Sequence, residues 1–345
     1  MTNHAITLTT RDGQQVHFTC ETEQNLLVAA EQEGIVLPSL CRDGGCGACL
    51  CICVEGDYRL GSYNPQALPP DAAARGDLLL CRAHPQSDLS LEAPYDFDRI
   101  RFEVLAGRAA EIIDLMPIAE RTIRLMLRLQ PDSSGGQAAE FEPGQYMSLE
   151  IPNLGISRAY SIANTPNWTG ELEFLIRLQP GGRFSTYLER EAKIGQRIDV
   201  CGPSGHFVLQ AQSLRPRYFV GGGTGLAPML SMLRHMAELE EPQPVHLYFG
   251  VNHEAELFYL DELRSLTQIL PHLKIDLCVW RAGASWDGFH GTPVQALQRD
   301  LEQGGPAPDL YLCGPPALID AATETARSFG IADGHIFSER FLPST

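Results

Sequence analysis

Six of the ten cysteines in this 345-residue chain fall between Cys41 and Cys81, and four of those six are spaced for metal chemistry. The loop reads Cys41-Arg-Asp-Gly-Gly-Cys46-Gly-Ala-Cys49, and Cys81 follows thirty-two positions later. C-x4-C-x2-C with a distant fourth cysteine is the plant-type arrangement for a [2Fe–2S] cluster. One loop wraps the cluster and a separate segment brings the last thiolate. Gly44, Gly45 and Gly47 let backbone amides approach the sulfurs, where hydrogen bonds tune the reduction potential. Zinc sites use paired C-x2-C arms or added histidines, and only one such arm exists here. Cys51 and Cys53 continue at period two and read as core residues of a strand. Cys81-Arg-Ala-His84 superficially resembles half of a Rieske site, but no second Cys-x-His arm accompanies it, so His84 reads as a loop histidine.

Further along, Arg158-Ala-Tyr160-Ser161 puts a guanidinium and an aromatic ring on one face of an expected strand. That pair can bind a phosphate through paired N–H donors and stack on a flavin ring. Pro180-Gly181-Gly182-Arg-Phe-Ser185 opens an expected helix, whose first amides and positive dipole end suit a pyrophosphate. Each of these two motifs alone also fits an edge strand or a plain turn. Gly221-Gly222-Gly223-Thr224-Gly225 follows an apolar strand and precedes a helix; it departs from the strict G-x-G-x-x-G pattern but still makes a phosphate site. Cys313 ends another expected strand, where ligands sit in open α/β sheets, so it reads as a group near the reacting ring in preference to a core residue.

The elements that must position these residues fall into three segments. In residues 1–98, alternation in ITLTT and VHFTC around Asp12-Gly13 predicts a hairpin. Glu23–Glu33 predicts a helix ended by Gly34, and Cys49–Val54 a strand. Residues 99–214 are strand-rich, with strands expected at Thr122–Leu129, Tyr146–Ile151, Arg158–Ala163, Leu172–Leu178 and Arg197–Val200, plus a helix from Phe184 to about Ala192. Many short strands with turn signals imply a barrel or sandwich. In residues 215–345, apolar strands at Tyr218–Val220, Val245–Val251, Ile275–Trp280 and Leu310–Leu312 alternate with helical stretches, the rhythm of a parallel α/β sheet.

Together these motifs resemble the reductases of multicomponent oxygenases over essentially the whole chain. The wording is nearest to the reductases of soluble methane monooxygenases in Glu55-Gly-Asp57-Tyr, Gln66-Ala-Leu-Pro-Pro70, Phe249-Gly-Val, Glu256-Leu-Phe-Tyr259, Asp261-Glu-Leu and Glu339-Arg-Phe341-Leu-Pro. The resemblance implies a multidomain protein: an α+β ferredoxin domain of β-grasp type, an antiparallel β-barrel for FAD and an α/β nicotinamide domain. It implies that Cys41, Cys46, Cys49 and Cys81 ligate the cluster and that Arg158, Tyr160 and Ser161 contact FAD, with Gly182 and Ser185 at its pyrophosphate. Gly222, Gly223, Thr224 and Gly225 would hold the dinucleotide phosphates, with Cys313 near the nicotinamide. Ser161 would bond near the flavin N5, Cys313 and Glu339 would steady the charge that develops as hydride moves, and Phe341 would cover the ring. Plant-type reductases end in tyrosine, whereas this chain runs past Phe341 to Thr345.

Composition and charge bound the rest. The net charge is −17, which excludes nucleic acid as a partner. Residues 1–98 hold five arginines, no lysine and fourteen acids, a surface suited to steering onto a basic patch of a terminal oxygenase, expected to be a di-iron hydroxylase. The segment Asn252-His253-Glu254-Ala255-Glu256 offers two acids and no arginine where a 2′-phosphate would sit, which predicts NADH as donor. No apolar run is long enough for a membrane span and the start lacks signal-peptide features, so a cytoplasmic protein is expected; the sequence does not give its oligomeric state, and a monomer is the default for an electron shuttle. The alternatives are the reductase of an aromatic-ring Rieske dioxygenase, and an electron carrier or sensor without hydride chemistry.

Overall fold

The computed structural model describes residues 2–39, 42, 44–45, 47–102, 107–132, 134–152 and 154–341. Two compact units emerge, residues 1–106 and residues 107–341. Among the described residues no helix is long and apolar enough to cross a membrane.

The first unit begins with the expected hairpin, β1 (Asn3–Thr9) and β2 (Gln15–Glu21), in which Ile6, Leu8, Val16 and Phe18 alternate inward. Helix α1 (Leu26–Gln32) starts where Asn25 accepts the Val28 N–H at 3.0 Å and stops at Gly34, whose φ of +77° glycine tolerates. There follow β3 (Ile35–Val36), β4 (Leu50–Glu55), β5 (Tyr58–Leu60), α2 (Pro70–Ala74), β6 (Asp77–Leu79), β7 (Ala83–Pro85), β8 (Leu89–Glu92) and β9 (Arg101–Phe102). The main sheet runs β2-β1-β8-β4-β6, with β8 parallel to β1 and antiparallel to β4. Leu26, Leu27, Ala29 and Ala30 of α1 join the core of this α+β unit. His84 lies on β7, not in a loop, because β5 and β7 pair as a short ribbon; its Nδ1 meets the Glu23 carbonyl at 3.2 Å.

The second unit opens with six antiparallel strands: β10 (Arg108–Ala119), β11 (Thr122–Leu129), β12 (Tyr146–Ile151), β13 (Ile156–Ser161), β14 (Glu171–Arg177) and β15 (Arg197–Ser204). Their order is β13-β12-β15-β10-β11-β14, and a bridge between Ile162 and Phe174 joins the two ends into a barrel around Ile112, Leu125, Leu149, Leu172 and Ile198. Helix α3 (Arg183–Arg190) lies between β14 and β15 in sequence. β10 is the longest of the strands and the least evident in the sequence. Register shifts at Ile112/Asp114 and Pro117/Ala119 insert residues that break the two-residue alternation.

The rest of the unit is a parallel sheet. Its elements are β16 (Arg217–Gly222), α4 (Leu226–Glu238), β17 (Val245–Val251), α5 (Leu260–Ile269), β18 (Leu273–Val279), β19 (Phe289–His290), α6 (Pro293–Glu302), β20 (Asp309–Gly314), α7 (Pro316–Ser328) and β21 (Ile336–Arg340). The order β19-β18-β17-β16-β20-β21 is parallel throughout. β17 is buried along its whole length, as a strand covered on both faces must be.

Candidate functional site

Cys49 enters β4 and Cys81 follows β6. These strands pair with Leu50 opposite Leu79, so the ladder itself brings the two cysteines together. Their sulfurs are 3.4 Å apart, and both residues are buried. Two metal–sulfur bonds of about 2.3 Å at a tetrahedral angle span about 3.7 Å, so this pair fits two thiolates on one iron. Gly44 adopts φ +72°, and a Cβ there would lie 2.8 Å from Arg82 Cγ and 2.9 Å from Tyr63 Cβ; the loop is drawn in against the body of the unit. Cys41 and Cys46 lie outside the described residues. Cys51 is buried in the core, where burial pushes its thiol up to about 12, and Cys53 is half-buried against that core with Sγ 3.4 Å from the Glu55 carbonyl.

In the second unit Arg158 and Tyr160 share the half-buried face of β13, and the Tyr160 ring packs on Phe184 with centroids 5.2 Å apart. Gly181 turns with φ +73° and Gly182 caps α3. Gly182 gives its own N–H to the Gln179 carbonyl, and Ser185 Oγ accepts the Gln179 N–H at 2.9 Å. The amides left for the expected anion are therefore those of the first turn of α3. Across the sheet, Gly221 and Gly222 end β16, Gly223 turns with φ +55°, and Thr224 and Gly225 lead into α4. A Cβ on Gly225 would fall 2.2 Å from the Cys313 carbonyl oxygen, so glycine there answers to strand β20 as much as to a phosphate.

The residues expected near a reacting ring converge. Cys313 is fully buried, lies opposite Gly221 on one side, and pairs in register with Glu339 of β21 on the other. Ser161 donates to Glu339 Oε2 at 2.8 Å, joining the barrel to the parallel sheet across 178 residues of chain. Burial pushes the Glu339 carboxyl up to about 7, against the pull of the Ser161 hydroxyl. Phe341 donates its N–H to the Gly314 carbonyl at 2.8 Å and packs, half-buried, on the core beneath.

Three family descriptions match in sequence order: a 2Fe-2S iron-sulfur cluster binding domain over residues 9–86, an oxidoreductase FAD-binding domain over 110–209 and an oxidoreductase NAD-binding domain over 219–324. Methane monooxygenase component C of Methylosinus trichosporium is 40% identical over 303 residues, 87% of each chain. The chain belongs to the reductase components of multicomponent oxygenases. The toluate 1,2-dioxygenase electron transfer component of Pseudomonas putida is 35% identical to this reductase over 99% of both chains. Among solved structures, an Amycolatopsis cytochrome P450 reductase superposes with a TM-score of 0.79 at 28% identity, covering 99% of this chain and 100% of its own. The reductase is an oxidoreductase of NADH, FAD and [2Fe–2S], with electrons passing in that order.

Two cationic residues of the reductase escape a reading by motif. Arg177 ends β14, pairs with Glu256 at 3.2 Å, and sets Nη1 3.5 Å from where a Cβ on Gly223 would stand. Arg281 follows β18, donates its N–H to the Asn252 carbonyl at 2.9 Å, and stacks on Trp280 at 4.8 Å. No local pattern flags either, since only the fold brings them to the glycine turn and to the 252–256 loop. Glu256 is held by Arg177 and by the Asn252 N–H, and Glu254 by the Gly283 N–H at 2.9 Å. Glu254 is exposed, and it is the acid expected to repel a 2′-phosphate. Steady-state kcat/KM is expected to favour NADH over NADPH by at least about tenfold, and Glu254→Gln to narrow that ratio. A native preference for NADPH would overturn the assignment.

Proposed function

We propose that this reductase serves a terminal di-iron hydroxylase of the methane or alkane monooxygenase type, as a cytoplasmic monomer. The likeness to methane monooxygenase component C is the observation that carries the reading. Residues 1–98 form the cluster domain, 99–214 the flavin domain and 215–345 the nicotinamide domain. Cys41, Cys46, Cys49 and Cys81 hold the cluster. Arg158, Tyr160 and Ser161 hold FAD, with its pyrophosphate at Gly182, Ser185 and the first turn of α3. Gly222, Gly223, Thr224 and Gly225 receive the phosphates of NADH. Bound FAD supplies the conversion from a two-electron donor to a one-electron acceptor. Ser161, Cys313 and Glu339 fix the reacting rings and keep water from them, while Phe341 covers the flavin. With both groups bound, the two electrons that NADH gives up as a hydride on becoming NAD+ would be taken by the flavin and delivered singly to the cluster.

Docking falls to the acidic first unit. Arg11, Arg42, Arg59 and Arg75 are each tied to an acid (Asp96, Glu31, Glu23 and Asp71), and Arg82 donates to the Ser62 carbonyl. Asp77 and Glu92 flank the exposed Ile52 across neighbouring strands, an apolar contact with a negative rim. Anaerobic NADH should bleach the flavin of the purified protein. The rate of reduction of the hydroxylase should then fall at least about tenfold between 50 and 300 mM salt. No bleaching would leave a carrier or sensor, and a flat salt response would remove the acidic docking surface. The likeness to the toluate dioxygenase component supports a second reading, a Rieske partner, and co-purification with a Rieske or a di-iron protein decides between them.

A further inference from the structure

Beyond Ser161, the barrel strand makes a second junction with the parallel sheet. Ala163 gives its N–H to the Glu173 carbonyl on the barrel side, while its own carbonyl accepts from Arg234 Nη1 at 2.9 Å. Arg234 stands on α4, the helix that begins at the glycine turn. The same guanidinium bonds Glu173 of β14 and grips Glu262 of α5 at both carboxylate oxygens, 2.6 and 2.9 Å. Tyr259 donates to the other oxygen of Glu173, and its ring lies 5.7 Å from the guanidinium carbon. One turn earlier on α4, Ser231 donates to the Asn164 carbonyl at 2.6 Å. The Arg234 and Glu173 side chains are 19% and 7% exposed, so water competes little for these bonds.

A closed mechanical circuit results. It runs from Ser161 to Ala163, through Arg234 along α4 to Gly225, across the close approach of Gly225 to the Cys313 carbonyl, and through Glu339 back to Ser161. We propose that Arg234 is a positioning residue that fixes the spacing between the strand end at the flavin and the helix start at the nicotinamide. It touches neither ring. The proposal rests on the NADH-to-flavin reading above, in which NADH would give up a hydride, becoming NAD+, and the flavin would take its two electrons. A forked, planar donor can hold two carboxylates and a carbonyl in one fixed geometry, and an ammonium cannot. Misplacement by a fraction of an ångström at a hydride donor is enough to lower the rate.

The test uses the flavin-loaded full chain. Arg234→Lys keeps the charge beside Glu173 and loses the fork. The set E173Q/R234M/E262Q removes the guanidinium and both of its carboxylate partners together, so that none of the three charges is stranded. In stopped flow, the limiting rate of flavin reduction is expected to fall at least about tenfold in both variants, with the dissociation constant for NADH within about twofold. The isotope effect with NADH deuterated at the transferred position should rise. Amide exchange at Ala163 and in residues 226–231 should quicken, and FAD content should stay unchanged. A limiting rate within about twofold of native in either folded variant overturns the proposal, as does unchanged amide exchange. Failure of the native protein to bleach with NADH would defeat the functional reading instead, and is seen before any variant is made.

Discussion

Replacing Cys81 by serine is expected to abolish cluster assembly while leaving flavin reduction by NADH within about twofold of native. Cys81 is buried with its sulfur 3.4 Å from that of Cys49, so bulk water does not reach the position to replace it. A serine hydroxyl is a harder ligand that does not match iron–sulfide chemistry. The damage should stay in the first unit, whose core of Ile6, Leu8, Leu26 and Leu78 is built from its own residues. Residues 107–341 form a separate compact unit that holds Ser161, Cys313 and Glu339. Iron analysis and the visible spectrum report the loss of the cluster. NADH-driven reduction of a one-electron acceptor protein should fall about a hundredfold or more, against near-native anaerobic bleaching of the flavin. Retained iron in stoichiometric amount would remove Cys81 from the ligand set.

The second large effect belongs to the Ser161–Glu339 pair. Ser161→Ala removes the hydroxyl that bonds Glu339 Oε2 at 2.8 Å and leaves the buried carboxyl without that donor. The limiting rate of flavin reduction should fall about a hundredfold, the scale of losing one well-placed donor in a closed site. Burial holds the Glu339 proton up to about 7, so the native rate should bend near that pH and Glu339→Gln should flatten the profile. Stability carries the same signature. The folded carboxyl binds its proton more tightly than the unfolded chain does, so its contribution is fully present below about 4.5 and is lost as pH rises through about 7. Thermal melts of Glu339→Gln against native protein across that window measure the loss. An unbent native rate profile would mean that Glu339 does not titrate in the reacting complex.

The sequence disclosed what is local. The C-x4-C-x2-C loop, the hairpin around Asp12-Gly13 and the apolar strands of the parallel sheet are each set by neighbours within a few residues. It concealed what is distant or irregular. β10 was hidden because its bulges spoil the alternation that marks a strand. The expected strand Arg158–Ala163 ends at Ser161, because Ile162 and Ala163 leave β12 for β14 to close the barrel. Arg177 and Arg234 sit in stretches without a motif and gain meaning only from what the fold sets opposite them. Glu339 was reached through resemblance, since no pattern links it to a serine 178 residues away.

The place of β8 in the first sheet bears on how this protein is made. It is inserted between β1 and β4 although it is the last of the five to leave the ribosome. Until Glu92 has been synthesised, the hairpin and the β4–β6 pair have no common centre and cannot share one core. The four cysteines proposed as cluster ligands all precede that strand. The nascent chain therefore presents these thiols before the sheet that buries Cys49 and Cys81 can close around them.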